Sequence, residues 1–410
     1  MSRVPALLAI SALLASFGAA RSDSGDLREG LALFRENRIE EALPFLERAV
    51  SGGDAGVEAH AWLAEAYRRL GRKNEAIASA RRAIDLDSCS AFAHVVVAEA
   101  SLPRAGEPRS DADSAWVHLG RALRCDSADG NAWAVVWGEA ILRGKFDLAS
   151  RSVCVMRRSG FLTPAVLAHG RWLLRTLPEN ALLITNGDMD TYPTLSLQET
   201  EGFRTDVVVA ERGMLGTARF LRHLRDERGV PLPFGDAAID SLIDAAPAEG
   251  RIGAVSACIR DGWIDLKAAG SFPRPIAFAV TVDPIFYSGF KDRLRYAGPF
   301  FLWEEGTAAA LPDTARLREC LEGARIEDFS SPWAGAKDRS PVRGLYTKRL
   351  AANVTEAALE YADVLIRAGR LAEAREILDW AETFESRTEL GAVSGDRIAE
   401  LRAAAAPPDR

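Results

Sequence analysis

Two carboxylates one residue apart, Asp188 and Asp190, follow the apolar run ALLIT at residues 181–185 and are flanked by Asn186 and Thr191. Carboxylate, amide and hydroxyl oxygens are hard donors, suited to magnesium, manganese or calcium. The loop after the C-terminal end of a buried strand is also where open α/β sheets place ligands. The same residues have a simpler use. Asn186-Gly187 makes a turn, Asp190 or Thr191 caps the helix that follows, and the acidic charges favour its N-terminus. Capping is the expectation, with no cofactor assigned and a divalent cation as the alternative. The phosphatase pattern D-x-D-x-T fails, because Tyr192 stands where its Thr belongs.

Other chemistry is sparse. The five histidines, His60, His94, His118, His169 and His223, form no H-x-x-x-H pair, and no G-x-S-x-G elbow, P-loop or G-x-G-x-x-G fingerprint occurs. No catalytic residue is assigned. Cys89, Cys125, Cys154, Cys258 and Cys320 lack a C-x-x-C spacing and read mainly as small packing residues, with a Cys89–Cys125 bridge left open. The 51 basic and 58 acidic residues give a net charge of -7, which argues against nucleic acid as a partner. Beyond the N-terminus no uncharged apolar run approaches the roughly 20 residues that span a bilayer. At the N-terminus Arg3 precedes an uncharged run from Val4 to Ala20, with Gly18 and Ala20 before Arg21. This predicts a secretory signal over residues 1–20, export to a periplasmic or extracellular space, and a mature chain from Arg21. An uncleaved anchor is the other reading.

The elements around the acidic turn read as α/β. Residues 181–185 and 207–210 are apolar runs of strand type, separated by a helix with Pro193 in its first turn and Gly202 at its end. Strand, helix and strand make a βαβ unit. Helices are expected over about 217–228 and 237–245, a further buried strand in PIAFAVTV at 275–282, and an edge strand in PFFLWEEG at 299–306.

The first third is repetitive. REGLALFRENRIEEALPFLERAV is followed by AWLAEAYRRLGRKNEAIASARRAI, and Ala42 and Ala76 stand 34 residues apart. The period, with alanine where paired helices cross, resembles the tetratricopeptide repeat (TPR) family. Gly30, Ala42, Leu46 and Ala49 in the first unit, and Trp62, Leu63, Ala64, Tyr67, Gly71, Ala76 and Ala83 in the second, carry the resemblance. A third unit holds Ala98, Ala115, Leu119 and Ala122, with five extra residues expected between Pro103 and Asp113. A fourth, distorted by Trp137 and Met156, holds Trp133, Gly144 and Ala149, and residues 353–384 form a fifth with Ala362, Gly369, Ala374, Leu378 and Ala381. In this family the first helix of each pair lines a concave face. The resemblance implies a protein or peptide partner held by Leu31, Phe34, Arg35, Glu65, Arg68 and Arg69, unless these charges are only a solvated face.

From Pro178, the segment PENALLITNGDMDTYPTLSLQETEGFRTDVVVAERGML, followed by RPIAFAVTV, resembles the soluble C-terminal region of multi-pass membrane proteins regarded as protein O-mannosyltransferases. Asn186, Gly187, Asp188, Asp190, Thr191, Pro193, Gln198, Glu199, Glu201, Gly202, Arg204 and Asp206 match that pattern. In that family the transfer chemistry belongs to the membrane-embedded half, which this sequence does not show. The resemblance therefore implies a fold and a ligand or partner surface at Asn186, Asp188, Asp190, Thr191 and Arg204, not catalysis.

The expected fold class is α/β plus all-α: signal at 1–20, TPR-like repeats at 23–176, an α/β domain at 177–328, a Pro/Gly-rich basic linker at 329–349, TPR-like helices at 350–402 and a frayed tail at 403–410. The expected function is an exported scaffold or adaptor, not an enzyme, with the α/β domain as a second recognition surface. The alternative is a glycan or nucleotide-sugar role in protein glycosylation, as enzyme or as accessory to a membrane glycosylation component, since D-x-D after a strand also occurs in nucleotide-sugar glycosyltransferases.

Overall fold

The computed structural model describes residues 25–51, 55–102, 111–245, 252–305, 312–333, 335, 338–388, 390 and 393–406. The expected signal segment lies outside them. Two compact units divide the chain, one from the N-terminus to Val135 with Arg339–Val342, the other from Val136 to Asp338 with Arg343–Arg410.

The first unit is helical: α1 (25–35), α2 (Ile39–Ser51), α3 (Val57–Arg69), α4 (Lys73–Leu86), α5 (Ala91–Ser101), α6 (Ala112–Cys125) and the start of α7 (Gly130–Leu142). Alanine sets the close helix crossings, and Ala42, Ala76 and Ala115 are all fully buried. At Gly30 even a Cβ would stand 2.9 Å from Leu46 side-chain atoms. The turn inside the α3–α4 pair uses a left-handed residue: Gly71 has φ 76°, which lets Arg72 N–H reach back to Tyr67 O at 2.8 Å. In the second unit Gly144-Lys145 and Gly369-Arg370 make the same turn, with 2.8 Å bonds to Ala140 O and Leu365 O. Successive first helices are joined by an aromatic ladder, Phe34 on Trp62 at 5.2 Å and Trp62 on Phe92 at 4.8 Å. The cysteine pair left open is a disulfide, Cys89–Cys125, with Cα atoms 5.2 Å apart. It ties the start of α5 to the end of α6, so these two cysteines are cross-links and not packing residues.

The second unit centres on a five-stranded sheet of order β2-β1-β3-β5-β4. Its strands are β1 (Leu182–Thr185), β2 (Val208–Glu211), β3 (Ile276–Ala279), β4 (Leu294–Tyr296) and β5 (Phe300–Trp303). β1 lies parallel to both β2 and β3, whereas β5 runs antiparallel between β3 and β4. PFFLWEEG was expected at the edge; β4 takes the edge instead, because the turn at Gly298, φ 88°, folds the two into a hairpin. The first three strands are buried on both faces, as continuous apolar runs require. Helices α8 (Phe146–Arg158) and α9 (Pro164–Arg175) pack against α10 (Asp188–Glu201) and belong with the sheet, not with the repeats that were expected to extend to residue 176.

Helices α11 (Ala218–Asp226), α12 (Asp236–Ala245), α13 (Ile252–Ala268), α14 (Thr314–Gly323) and α15 (Ile326–Phe329) complete the α/β part. The expected linker at 329–349 is helical from Pro341 onward. Arg339 pairs with Asp129 at 2.6 Å and lies 4.5 Å over the Phe92 ring, and helix α16 (Pro341–Arg367) begins at the proline that suits a first helical turn. With α17 (Leu371–Arg387) and α18 (Gly395–Ala404) it encloses Ala358, Leu359, Ala362, Leu378, Ala381, Ile398 and Leu401. Helix α18 runs into the expected tail; residues 407–410 lie outside the described residues.

Candidate functional site

Of the six residues expected to face a partner on the repeats, two are buried. Phe34, 1% exposed, is a rung of the aromatic ladder, and Glu65, 3% exposed, is an internal anchor. The Glu65 carboxylate accepts from Arg68 at 2.5 Å and Arg69 at 2.7 Å, and Arg68 also lies 3.6 Å from Glu99. Burial pushes the Glu65 carboxyl upward, but the two guanidinium groups outweigh it and hold the group below its ordinary value. The network fixes two arginines in place on α3. Leu31, Arg68 and Arg69 are half-buried and Arg35 is exposed, so these four remain as the accessible part of the expected groove. A hydrophobic position on a first helix can face the groove or the next repeat, and residue type alone does not distinguish them.

The acidic turn lies at the C-terminal end of β1. Gly187, at φ 92° and ψ -151°, reverses the chain at once, and α10 begins at Asp188. Pro193 is therefore the sixth residue of the helix, not part of its first turn. Its ring fits because Gly170 of α9 faces it, where a Cβ would stand 2.8 Å from Pro193 Cβ. Neither Asp190 nor Thr191 caps the helix, whose N-cap Gly187 has no side-chain bond. Asp190 is fully buried instead, and its Oδ2 accepts the Asn186 N–H at 2.9 Å and the Thr281 hydroxyl. It ties the end of β1 to the segment after β3. Thr191 Oγ1 meets Thr185 Oγ1 at 2.7 Å, closing the same corner. Burial raises the Asp190 carboxyl to about 6, against the lowering effect of Thr281 and the Asn186 N–H. Asn186 and Asp188 are half-buried beside it.

Arg204 is not at this corner. It precedes β2, at the opposite end of the strands, with φ 50°. Its Nη1 donates to Leu174 O at 2.8 Å and Leu177 O at 3.0 Å, its Nη2 to Pro178 O at 3.0 Å, and it forks onto Asp206 at 2.8 and 2.9 Å. Those donors close the C-terminal end of α9, whose carbonyls lack helical partners. Arg204 is a clamp between α9 and the sheet, and the expected five-residue ligand surface is not one surface.

Two residues absent from the sequence reading complete the corner. Thr281 is the partner of Asp190, and Glu211, in register with Thr185 and 9% exposed, accepts the Met214 N–H at 2.9 Å. Burial raises the Glu211 carboxyl, and Asp190 and Asp188 add to the rise while the Gly213 and Met214 N–H groups oppose it. Among the described residues no three His, Cys, Asp or Glu groups come close enough to hold a metal ion.

The α3–α4 pair, with its left-handed Gly71 turn, and the buried alanine crossings at Ala42, Ala76 and Ala115 give the first unit the helix-pair geometry of tetratricopeptide repeats. A tetratricopeptide repeat family model matches residues 27–90, covering α1 to α4. The pattern described as TMEM260-associated domain 2 matches residues 167–234, from within α9 to beyond α11, and so includes the acidic corner and Arg204. No curated protein matches the chain. Among the described residues no helix is long and apolar enough to cross a membrane.

Proposed function

We propose that the protein is an exported scaffold whose tetratricopeptide repeats hold a protein partner along α1, α3 and α5, with the α/β unit as a second recognition surface. The observation that carries this reading is the repeat array itself: stacked helix pairs, with two arginines fixed on the first helix of the second pair, of a family that mediates protein–protein interaction. Export is supported separately by the apolar run from Val4 to Ala20 and by the Cys89–Cys125 disulfide, since such bonds persist in oxidising compartments. The match to TMEM260-associated domain 2, with the resemblance to the soluble region of membrane O-mannosyltransferase-like proteins, makes a membrane glycosylation component the favoured neighbour of the α/β unit.

The test is affinity capture by the full chain compared with Arg35→Glu, a change at an exposed position outside the Glu65 network. A specific partner lost with the variant supports the proposal. Equal capture by both proteins counts against the groove. N-terminal sequencing of the exported protein is expected to start close to Arg21.

A further inference from the structure

Away from the repeats, the second unit contains a pocket of about 200 Å³ against β2, walled by α8, α10 and α11. Its charged lining is three carboxylates, Asp147, Glu199 and Glu211, and one guanidinium, Arg228. Arg228 is accommodated within the protein: its Nη2 donates to Val207 O at 3.2 Å, and Glu199 acts on it as the opposite charge. Glu199 also accepts the Ser150 hydroxyl at 2.9 Å. Arg274, which acts on Arg228 as a like charge, lies outside the lining and donates to the Asn180, Asp206 and Arg228 carbonyls. Asp147 is exposed in the first turn of α8, where its charge favours the helix N-terminus. Burial and Arg228 lower the His223 imidazole, against Glu227 and Asp226, so it adds no positive charge at neutral pH.

Glu211 is left. It is 9% exposed, and among the described residues it makes no ion pair. The Gly213 and Met214 N–H groups occupy two of about four lone-pair sites on its carboxylate. Its charged neighbours are the like-signed Asp190 and Asp188. A buried carboxylate among like charges is unfavourable, and a cation that donates N–H bonds to the free lone pairs relieves it. Among the described residues no three ligating groups converge on a metal position, which favours an organic cation over a bare metal ion. The rest of the lining suits an apolar body. Val209 and Glu211, two residues apart, share one face of β2, so apolar surface adjoins the carboxylate. Phe146, stacked on His223 with ring centres 3.8 Å apart, adds an aromatic wall, and Trp137 and Leu195 extend it. We propose that this pocket binds a small primary amine, its ammonium group on Glu211 and its uncharged apolar tail along Val209 and the Phe146–His223 stack. The Arg228–Glu199 pair, balanced within the protein, asks for no charge on the tail. The site is independent of the repeat groove.

The experiment is isothermal titration of the full chain with phenethylamine, tryptamine and isoamylamine, each matched by the alcohol of the same skeleton, and with hydrocinnamate as the anion. Saturable binding of at least one amine is expected, about tenfold or more tighter than its alcohol, the scale of a charge-assisted hydrogen bond. Hydrocinnamate should bind more weakly than either. In Glu211→Gln the amine and its alcohol should bind equally, whereas Arg228→Gln should keep the preference for the amine. Absence of saturable binding across the three amines overturns the proposal. So does equal affinity for amine and alcohol, or tighter binding of hydrocinnamate, and these arms use the unaltered protein, whatever the variants do to folding. A Glu211→Gln protein that is folded by circular dichroism and still prefers the amine places the cation elsewhere and overturns it too.

Discussion

Replacing Asp190 by asparagine should remove a pH-dependent penalty and leave the corner's hydrogen bonds intact. An asparagine oxygen in the place of Oδ2 can accept both the Asn186 N–H and the Thr281 hydroxyl, as Oδ2 does, with the amide nitrogen taking the place of Oδ1 beside Thr191 Oγ1, so geometry is kept while the ionisation is lost. The carboxyl rises from an ordinary 3.8 to about 6 on burial in the folded protein. The folded state therefore binds the proton more tightly, and stability present below about pH 4 is lost as pH rises through 6. At about 1.36 kcal/mol per pH unit the loss is about 3 kcal/mol. Asp190→Asn should match the wild type near pH 4 and exceed it by up to about 3 kcal/mol at pH 8. The assay is urea unfolding of both full-length proteins across pH 4–8, read through hydrogen exchange of peptides from β1 and α10. The difference between the two curves cancels other titrating groups except Glu211, whose carboxyl should fall when its charged neighbour is removed. A flat difference, or a variant weaker than wild type at pH 8, refutes the reasoning, because either result means the charged form is stabilised. Manganese or calcium should shift neither curve. A metal-dependent gain lost in Asp190→Asn would instead place a cation at the corner.

Three further outcomes follow from the packing. Ala76→Trp overfills a fully buried crossing between α3 and α4 and should destabilise the repeats by about 1–3 kcal/mol in a thermal melt followed by circular dichroism. Gly170→Ala drives a methyl to 2.8 Å from Pro193 Cβ and 3.1 Å from its carbonyl carbon, and should cost a similar 1–3 kcal/mol or so, read by exchange in α9 and α10. Cys89→Ser opens a cross-link between residues 36 apart and should lower the stability of the repeats by about 2–4 kcal/mol, with reducing agent reproducing the effect in the wild type alone.

The parts of this fold that were legible in the sequence are those with a local signature. The 34-residue spacing of alanines and the Gly turns announced the helix pairs, and the uninterrupted apolar runs at β1, β2 and β3 announced a buried parallel sheet. Strand β4, three residues reading Leu-Arg-Tyr, has neither length nor alternation, so β5 was misplaced at the edge. Helix α10 was started too late because Pro193 marks a first turn in isolation; only Gly170, on another helix, makes room for it further in. The corner was legible as a cluster but not as a device. Whether Asp190 caps a helix or bridges two strands depends on Thr281, 91 residues away. Arg204 stood in the same sequence pattern, yet its partners are carbonyls at the end of α9, which no spacing rule connects to it. Phe34 and Glu65 show the same limit on the repeats, since burial there depends on the neighbouring repeat.

The central claim, a protein partner held on the first helices of the repeats, is tested most directly by site-specific photo-crosslinking in the native host. A benzophenone side chain is placed at Arg35 on α1 or at Arg82 on α4, both exposed, in the full chain. The account predicts a discrete protein adduct from position 35 and none from position 82. No adduct at 35, or the same adducts at both positions, would contradict it.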